Sequence, residues 1–371
     1  MHRAQKLIEK LFAAADVRIG GARPWDIKVH DERFYPRVVS HGNLGLGEAY
    51  MSGWWDCDAL DQFFYKILSA DLEKKVSLDW TTVRTYLQSR FWNIQNEKGS
   101  KKVAVNHYDL SAKLYMSFLD PYNQYTCGYF KDTSDLNEAQ EKKMDLICKK
   151  LRLRKGDKVL DIGCGWGGFA KFAAERYGCE VTGITISKEQ AVFAREFTKG
   201  LPVTILDLDY RKIKGYYDKI VICGMIEHVG YKNYRRIFKI VEKNLADDGL
   251  FLLHTIGSDT SVTRTDSWID KYIFPNGMLP SIAQIGKTIE KLFTMEDWHN
   301  FSAYYDPTLM AWFKNFEKNW DDIKADYDER FRRMWEYYLL SCAGSFRARK
   351  NQLWQIVLSK HGVPGGYEGA R

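Results

Sequence analysis

Gly163, Gly165 and Gly168 stand at a G-x-G-x-x-G spacing between an apolar run, Val159-Leu160-Asp161-Ile162, and a helical pattern of Phe169, Phe172, Ala173 and Tyr177. This arrangement constrains the fold more than any other stretch of the chain. A strand must turn sharply into a helix, and glycines are needed where the turn takes unusual backbone angles and lets a ligand approach the main chain. The helix N-terminus then aims unpaired N–H groups at whatever binds.

Such a turn most often receives a dinucleotide pyrophosphate. Two features argue against that here. Asp161 lies two residues before Gly163, where its charge repels a pyrophosphate and attracts a cation. The next strand, 180–187, does not end in the acidic residue that would bind a nicotinamide dinucleotide ribose. An acid before the glycines suits a cationic sulfonium with an amino-acid tail, S-adenosylmethionine. A purely structural glycine turn is the remaining alternative.

From Val159 onward, strand and helix alternate. Strands are expected at 158–162, 180–185, 203–206, 219–224 and 249–256, with a last one at 353–358; helices are expected at 168–177, 187–198 and 231–246, with one at 135–152 leading in. Short strands alternating with helices of this length predict an α/β class, doubly wound parallel sheet. Ligands of such sheets bind beyond the carboxyl ends of the strands. Glu227 and His254 both fall at such ends, beside the Asp161 glycine turn, and are candidate functional residues.

Residues 1–95 read as a smaller N-terminal α+β domain. It opens with an amphipathic helix (Leu7, Ile8, Leu11, Phe12) and continues with strand-like pieces at 25–29 and 37–39, a turn-rich Gly42–Gly47 and a helical pattern over most of 60–95. No catalytic constellation appears in it. Packing or dimerisation, giving a possible homodimer, and docking on a lipid surface are both open. Residues 96–105 are polar, contain Gly-Ser and read as a linker to a domain at 106–371.

The net charge of +7 is compatible with an anionic membrane or nucleic acid and decides neither. Seven cysteines without a C-x-x-C pair argue against a zinc site and for a reducing, cytoplasmic setting. No apolar run has the length of a membrane span.

Two further stretches are unusual. Residues 106–130 are dense in aromatic and hydrogen-bonding groups without regular periodicity, as functional loops often are. An insertion at 258–326 is aromatic and lies at the ligand end of the sheet, where it is expected to shape a substrate cavity. Helices around 307–326 and 328–349 carry aromatic faces (Trp312, Phe316, Phe331, Trp335) that fit either a packed core or a cavity for a long apolar chain. Basic clusters at 149–155, 330–333 and 347–350 are solvated faces or contacts to anionic lipid.

Several segments together resemble the bacterial cyclopropane-fatty-acyl-phospholipid synthases and the related mycolic acid cyclopropane synthases. They are Asn106-His107-Tyr108-Asp109, Gln124 to Tyr129, Val159 to Gly168, Met225 to Gly230, Leu252 to Gly257, Lys271 to Gly277 and Met295 to Phe301. The match runs from about residue 106 to the end. It implies a class I, Rossmann-like, S-adenosylmethionine-dependent methyltransferase domain. The separate N-terminal domain favours the phospholipid enzymes.

The resemblance implies transfer of a methylene group from S-adenosylmethionine to the cis double bond of an unsaturated phospholipid, by methyl transfer, a carbocation and loss of a proton to bound bicarbonate. Carried over position by position, the bicarbonate ligands are Cys127, Glu227, His254, Ile256 and Tyr305, with Cys127 and Ile256 acting through the backbone. The cofactor residues are Tyr125, Gly163, Gly165, Thr185, Gln190, Asp209 and Tyr210, with Asp161 behind the turn. The enzyme is expected in the cytoplasm, peripheral to the inner face of the membrane. A methyltransferase of soluble small molecules is the nearest rival, and an inactive lipid-binding scaffold is another. A nucleic-acid enzyme fits poorly: there is no Pro-Cys nucleophile, and Asp120-Pro121-Tyr122 lies before the cofactor turn.

Overall fold

The computed structural model describes residues 2–70, 72 and 111–371. The expected linker 96–105, the segment Asn106–Asp109 and most of the helical pattern read over 60–95 lie outside them. The chain forms two compact units, one of residues 1–110, 265–276 and 312–350, the other of residues 111–264, 277–311 and 351–371. The N-terminal residues therefore share their unit with two later segments of the chain, which a contiguous division at 95 does not capture.

In the first unit, β1 (Ile27–Val29) and β2 (Trp55–Cys57) form an antiparallel ribbon. Helices His2–Ala14, Phe34–Met51, Leu60–Ser69 and Glu329–Arg347 supply most of the rest. Residues 37–39, expected as a strand, lie inside helix Phe34–Met51. Two adjacent valines favour strand only weakly, and tertiary packing overrides them: the helix buries Phe34, Leu44, Leu46 and Met51. The expected turn survives as a break at Gly42, whose φ is 56°. Phe331, Met334 and Trp335 are fully buried, so the aromatic face of the last long helix is packed core.

The second unit is built on a seven-stranded sheet. Its strands are β3 (Lys158–Ile162), β4 (Glu180–Thr185), β5 (Val203–Asp207), β6 (Tyr217–Cys223), β7 (Leu245–Gly257), β8 (Thr294–Asn300) and β9 (Gln352–Ser359). The spatial order is β5-β4-β3-β6-β7-β9-β8. Strands β3 to β7 pair in parallel, and β9 pairs antiparallel with both β7 and β8. The chain reverses its order at β3, where the glycine turn emerges, and ligands of such sheets bind at that switch point.

The expected strands and helices from 158 to 257 are all present, with ends shifted by a few residues at most. One expectation is corrected: residues 294–300, placed in the substrate-cavity insertion, form the edge strand β8. An edge strand need not alternate cleanly, and this one is part-exposed along its length, which hid it among polar residues.

Side chains alternate between the two faces of the sheet. One face carries Leu160, Ile162, Ile222, Leu253 and Ile356 against helix Tyr231–Asn244. The other carries Val159, Val221, Leu252 and Val357 against helices Leu136–Lys150 and Gly168–Tyr177. On this second face, toward the carboxyl ends of the parallel strands, the apolar pattern gives way to polar side chains.

Candidate active site

The site begins at the end of β3. Gly163, Gly165 and Gly167 all have positive φ, at 84°, 54° and 84°, which residues with a Cβ adopt at a cost. The N–H groups of Gly163 and Cys164 both donate to Ile184 O at 2.9 Å, which ties the turn to β4. An added Cβ at Gly165 would meet nothing within 4 Å, so the main chain is open there. At Gly168 a Cβ would collide with Tyr122 O and Gln124 Nε2, so only glycine lets the 122–124 loop close on the turn.

Asp161 is buried behind this turn, and burial pushes its carboxyl up to about 7, against the pull of the Lys143 charge. Thr185, at the end of β4, donates from Oγ1 to Gln190 Oε1 at 2.9 Å. That leaves the amide N–H groups of Gln190 for a ligand. Leu208 N donates to Thr185 O at 3.0 Å and leads the chain to Asp209 and Tyr210. The Asp209 carboxylate accepts from Arg211 N at 2.8 Å and from its guanidinium, whose hydrogen bonds hold it down at about 2. Tyr125 packs edge-on against Tyr115, with centroids 5.1 Å apart. The glycine turn, the Thr185–Gln190 pair and the Asp161 carboxyl thus form an open backbone cradle at the switch point with an acid beneath it, which fits the cationic S-adenosylmethionine.

The second group of candidates sits at the ends of β6 and β7. Glu227 lies on a 3-10 turn, Ile226–His228, just after β6. Its Oε1 accepts from Ile256 N at 2.8 Å, and its backbone carbonyl accepts from Met278 N at 2.8 Å. Its Oε2 is buried with no partner among the described residues. Burial raises this carboxyl to about 7. His254 lies on β7, one strand across from Cys223, and is 1% exposed. Burial holds its imidazole well below the usual range, so the ring is neutral. Its Nε2 is buried without a described partner.

Cys127 completes the group from the 124–128 loop. It is fully buried, and burial pushes its thiol up, so it is not a nucleophile. The next amide, Gly128 N, donates to Thr308 Oγ1 at 3.0 Å. Thr308 lies one turn beyond Tyr305 in helix Tyr305–Lys318, so this bond docks the helix start, and with it Tyr305, on the Cys127–Gly128 peptide. Thr126 links the loop to the sheet: Cys223 Sγ lies 3.8 Å from its Oγ1. Cys127, Glu227, His254, Ile256 and the start of the Tyr305 helix therefore belong to one connected site. Among these residues the orphaned atoms are the His254 Nε2 and the Glu227 Oε2, a set that fits a small oxyanion carrying one proton.

Sequence reasoning missed three residues here. Lys143 is fully buried, donates from Nζ to Thr126 Oγ1 at 2.8 Å and to Gln124 Oε1, and so fixes the residues on both sides of Tyr125. Gln140 donates from Nε2 to Thr126 O at 2.8 Å. Both recur with Ala139, Met144 and Ile147 on the apolar stripe of helix Leu136–Lys150, where polar residues at core spacing were the available signal. Gln355 is a fully buried amide in the otherwise apolar strand β9, paired in register with His254.

The family model described as mycolic acid cyclopropane synthetase matches residues 95–356. The chain is 49% identical to the cyclopropane-fatty-acyl-phospholipid synthase of Escherichia coli (strain K12), over 99% of this chain and 96% of that protein. It is 32% identical to the tuberculostearic acid methyltransferase UfaA1 of Mycobacterium tuberculosis, over 88% and 81% of the two chains. Among solved structures it resembles mycolic acid cyclopropane synthase CmaA1 complexed with SAH and CTAB, with a TM-score of 0.64 and 31% identity, over 70% of this chain and 98% of that one.

Proposed function

The chain belongs to the mycolic acid cyclopropane synthetase family and is an S-adenosylmethionine-dependent methyltransferase, and we propose that it builds a methylene bridge across the cis double bond of unsaturated acyl chains in phospholipids. One observation carries this reading. Glu227 and His254 lie together at the carboxyl ends of neighbouring parallel strands, both desolvated, each with one buried polar atom that no described residue satisfies. A pocket that keeps its acid and its imidazole near neutrality suits chemistry on an apolar chain better than recognition of a charged, water-soluble acceptor.

When bound, S-adenosylmethionine supplies an electrophilic methyl for the π pair of the alkene, and bicarbonate supplies a base for the proton whose loss from that methyl closes the ring. Gly163, Gly165, Thr185, Gln190, Tyr125, Asp209 and Tyr210 would hold the first, with Asp161 placing negative charge behind the sulfonium. The Cys127 and Ile256 amides, the Tyr305 hydroxyl and the His254 Nε2–H would donate to the second. Glu227, raised to about 7 by burial, would share a proton with that ion, which avoids two full negative charges in one pocket. The Tyr305 ring lends its face to the carbocation on the acyl chain. Holding the weak alkene nucleophile in line with the methyl group is the main task of the surrounding walls.

In this reading the enzyme works on the inner face of the membrane as a peripheral protein. No described helix is long and apolar enough to cross a membrane. Residues 1–95 and the basic clusters dock on anionic lipid, so binding to anionic vesicles should weaken as salt screens the contact. The direct test supplies S-adenosylmethionine labelled in its methyl group with vesicles of a cis-unsaturated phospholipid, the matching free fatty acid, or phosphoethanolamine. Label in the phospholipid acyl chains supports the proposal; label only in the fatty acid or the soluble amine overturns it.

A further inference from the structure

His254, Gln355 and His299 are neighbours in register on β7, β9 and β8, so their side chains lie side by side on one face of the sheet. Helix Leu136–Lys150 brings the fully buried Lys150 to the far end of this row. Lys150 Nζ lies 3.1 Å from His299 Nδ1 and 3.1 Å from the Asp297 carboxylate. The Gln355 side-chain nitrogen lies 3.4 Å from His254 Nδ1.

Donors and acceptors at the two ends of the row follow from the placement of these groups and their chemistry. An ammonium only donates, so His299 Nδ1 accepts from Lys150. Burial holds the His299 imidazole down at about 4, so its ring is neutral and its one proton is on Nε2. The Gln355 amide presents its NH2 to His254, and its oxygen is buried with no hydrogen-bond partner among the described residues. An NH2 group also only donates, so His254 Nδ1 accepts and the single proton of this neutral ring is on Nε2. That is the nitrogen left buried without a described partner at the candidate active site.

We propose that Gln355 is a positioning residue: it holds His254 in the Nε2–H tautomer, so that the imidazole enters the reaction as a hydrogen-bond donor to the site and not as a base. The inference deepens the function proposed above and rests on it for its consequence, but the tautomer itself does not depend on which substrate the enzyme takes.

The test has a spectroscopic arm and a kinetic arm. Nitrogen chemical shifts of ring-labelled histidine, assigned to His254 by comparison with His254→Gln, should show a protonated Nε2 and a bare Nδ1 in the wild-type enzyme near neutral pH. A protonated Nδ1 there overturns the proposal without any variant at Gln355. In the kinetic arm, Gln355→Met should lower kcat by about tenfold or more, the loss expected for one hydrogen bond that orients a reacting group, with KM for lipid and cofactor little changed. Gln355→Glu, whose carboxylate accepts from Nδ1–H, should move the proton and depress kcat further. Wild-type turnover in both variants overturns the proposal. An Nε2–H tautomer in a protein that labels no lipid would leave the positioning role standing and reject the proposed substrate.

Discussion

The backbone N–H of Ile256 donates to Oε1 of Glu227 at 2.8 Å, which binds the end of β7 to the turn after β6 and leaves Oε2 as the one carboxyl atom aimed at the site. Glu227→Gln keeps the Ile256 bond through its amide oxygen but removes the titratable proton. The expected outcome is a hundredfold or greater loss of kcat, the lower range for removal of a general acid–base group, with the Kd for S-adenosylmethionine within about twofold of wild type. Calorimetric titration beside a turnover assay separates the two. Unchanged kcat would remove Glu227 from the mechanism.

The same residue makes stability depend on pH. Burial raises the Glu227 carboxyl from 4.5 to about 7, so the folded protein binds a proton more tightly than the unfolded chain. Relative to the charged state, this contribution is fully present below pH 4.5 and is lost as pH rises through 7. Glu227→Gln should therefore be nearly neutral for stability at low pH and stabilising above pH 7, by on the order of 3 kcal/mol. Urea unfolding at several pH values reads this; a variant that gains nothing at high pH would show that the acid is not desolvated.

Lys143 is fully buried and has no carboxylate within ion-pair distance among the described residues. Its charge opposes the burial-driven rise of the Asp161 carboxyl. Lys143→Met should let Asp161 hold its proton to higher pH and so weaken S-adenosylmethionine binding, by about tenfold near neutral pH and less in base, consistent with a through-space charge effect of about 1.4 kcal/mol. Binding titrations across pH check this. The same Kd at every pH would show that Lys143 only braces the Gln124–Thr126 loop.

The glycine turn allows a contrast between two glycines. Gly168→Ala places a methyl against Tyr122 O and Gln124 Nε2, so the 122–124 loop must move off the turn. Gly165→Ala meets no atom and costs only its backbone strain at φ 54°, roughly 1–2 kcal/mol. Thermal unfolding should show Gly168→Ala as the more destabilised of the two. Equal Tm losses would contradict the close packing of that loop.

Much of this was legible in the sequence because alternating strand and helix patterns leave a strong periodic trace. Val159 to Tyr177 read as strand, turn and helix, and Glu227 and His254 fell at strand ends where ligands gather. What escaped has physical causes. Residues 37–39 looked like a strand because valine pairs favour one, but burial of a helix face outweighed that preference. Strand β8 was hidden because an edge strand can be polar. Lys143 and Gln355 went unnoticed because a single polar residue in an apolar pattern reads as noise until its partners, 17 to 101 residues away in the chain, are brought against it.

The most direct test of the central claim uses S-adenosylmethionine with a fully deuterated methyl group, the purified protein and vesicles of a cis-unsaturated phospholipid, with the acyl chains read by mass spectrometry. The account predicts a gain of one CD₂ unit per reacting chain, with the double bond and one deuteron lost. Retention of all three deuterons would mean methyl transfer without ring closure and would contradict the role given to the Glu227–His254 site.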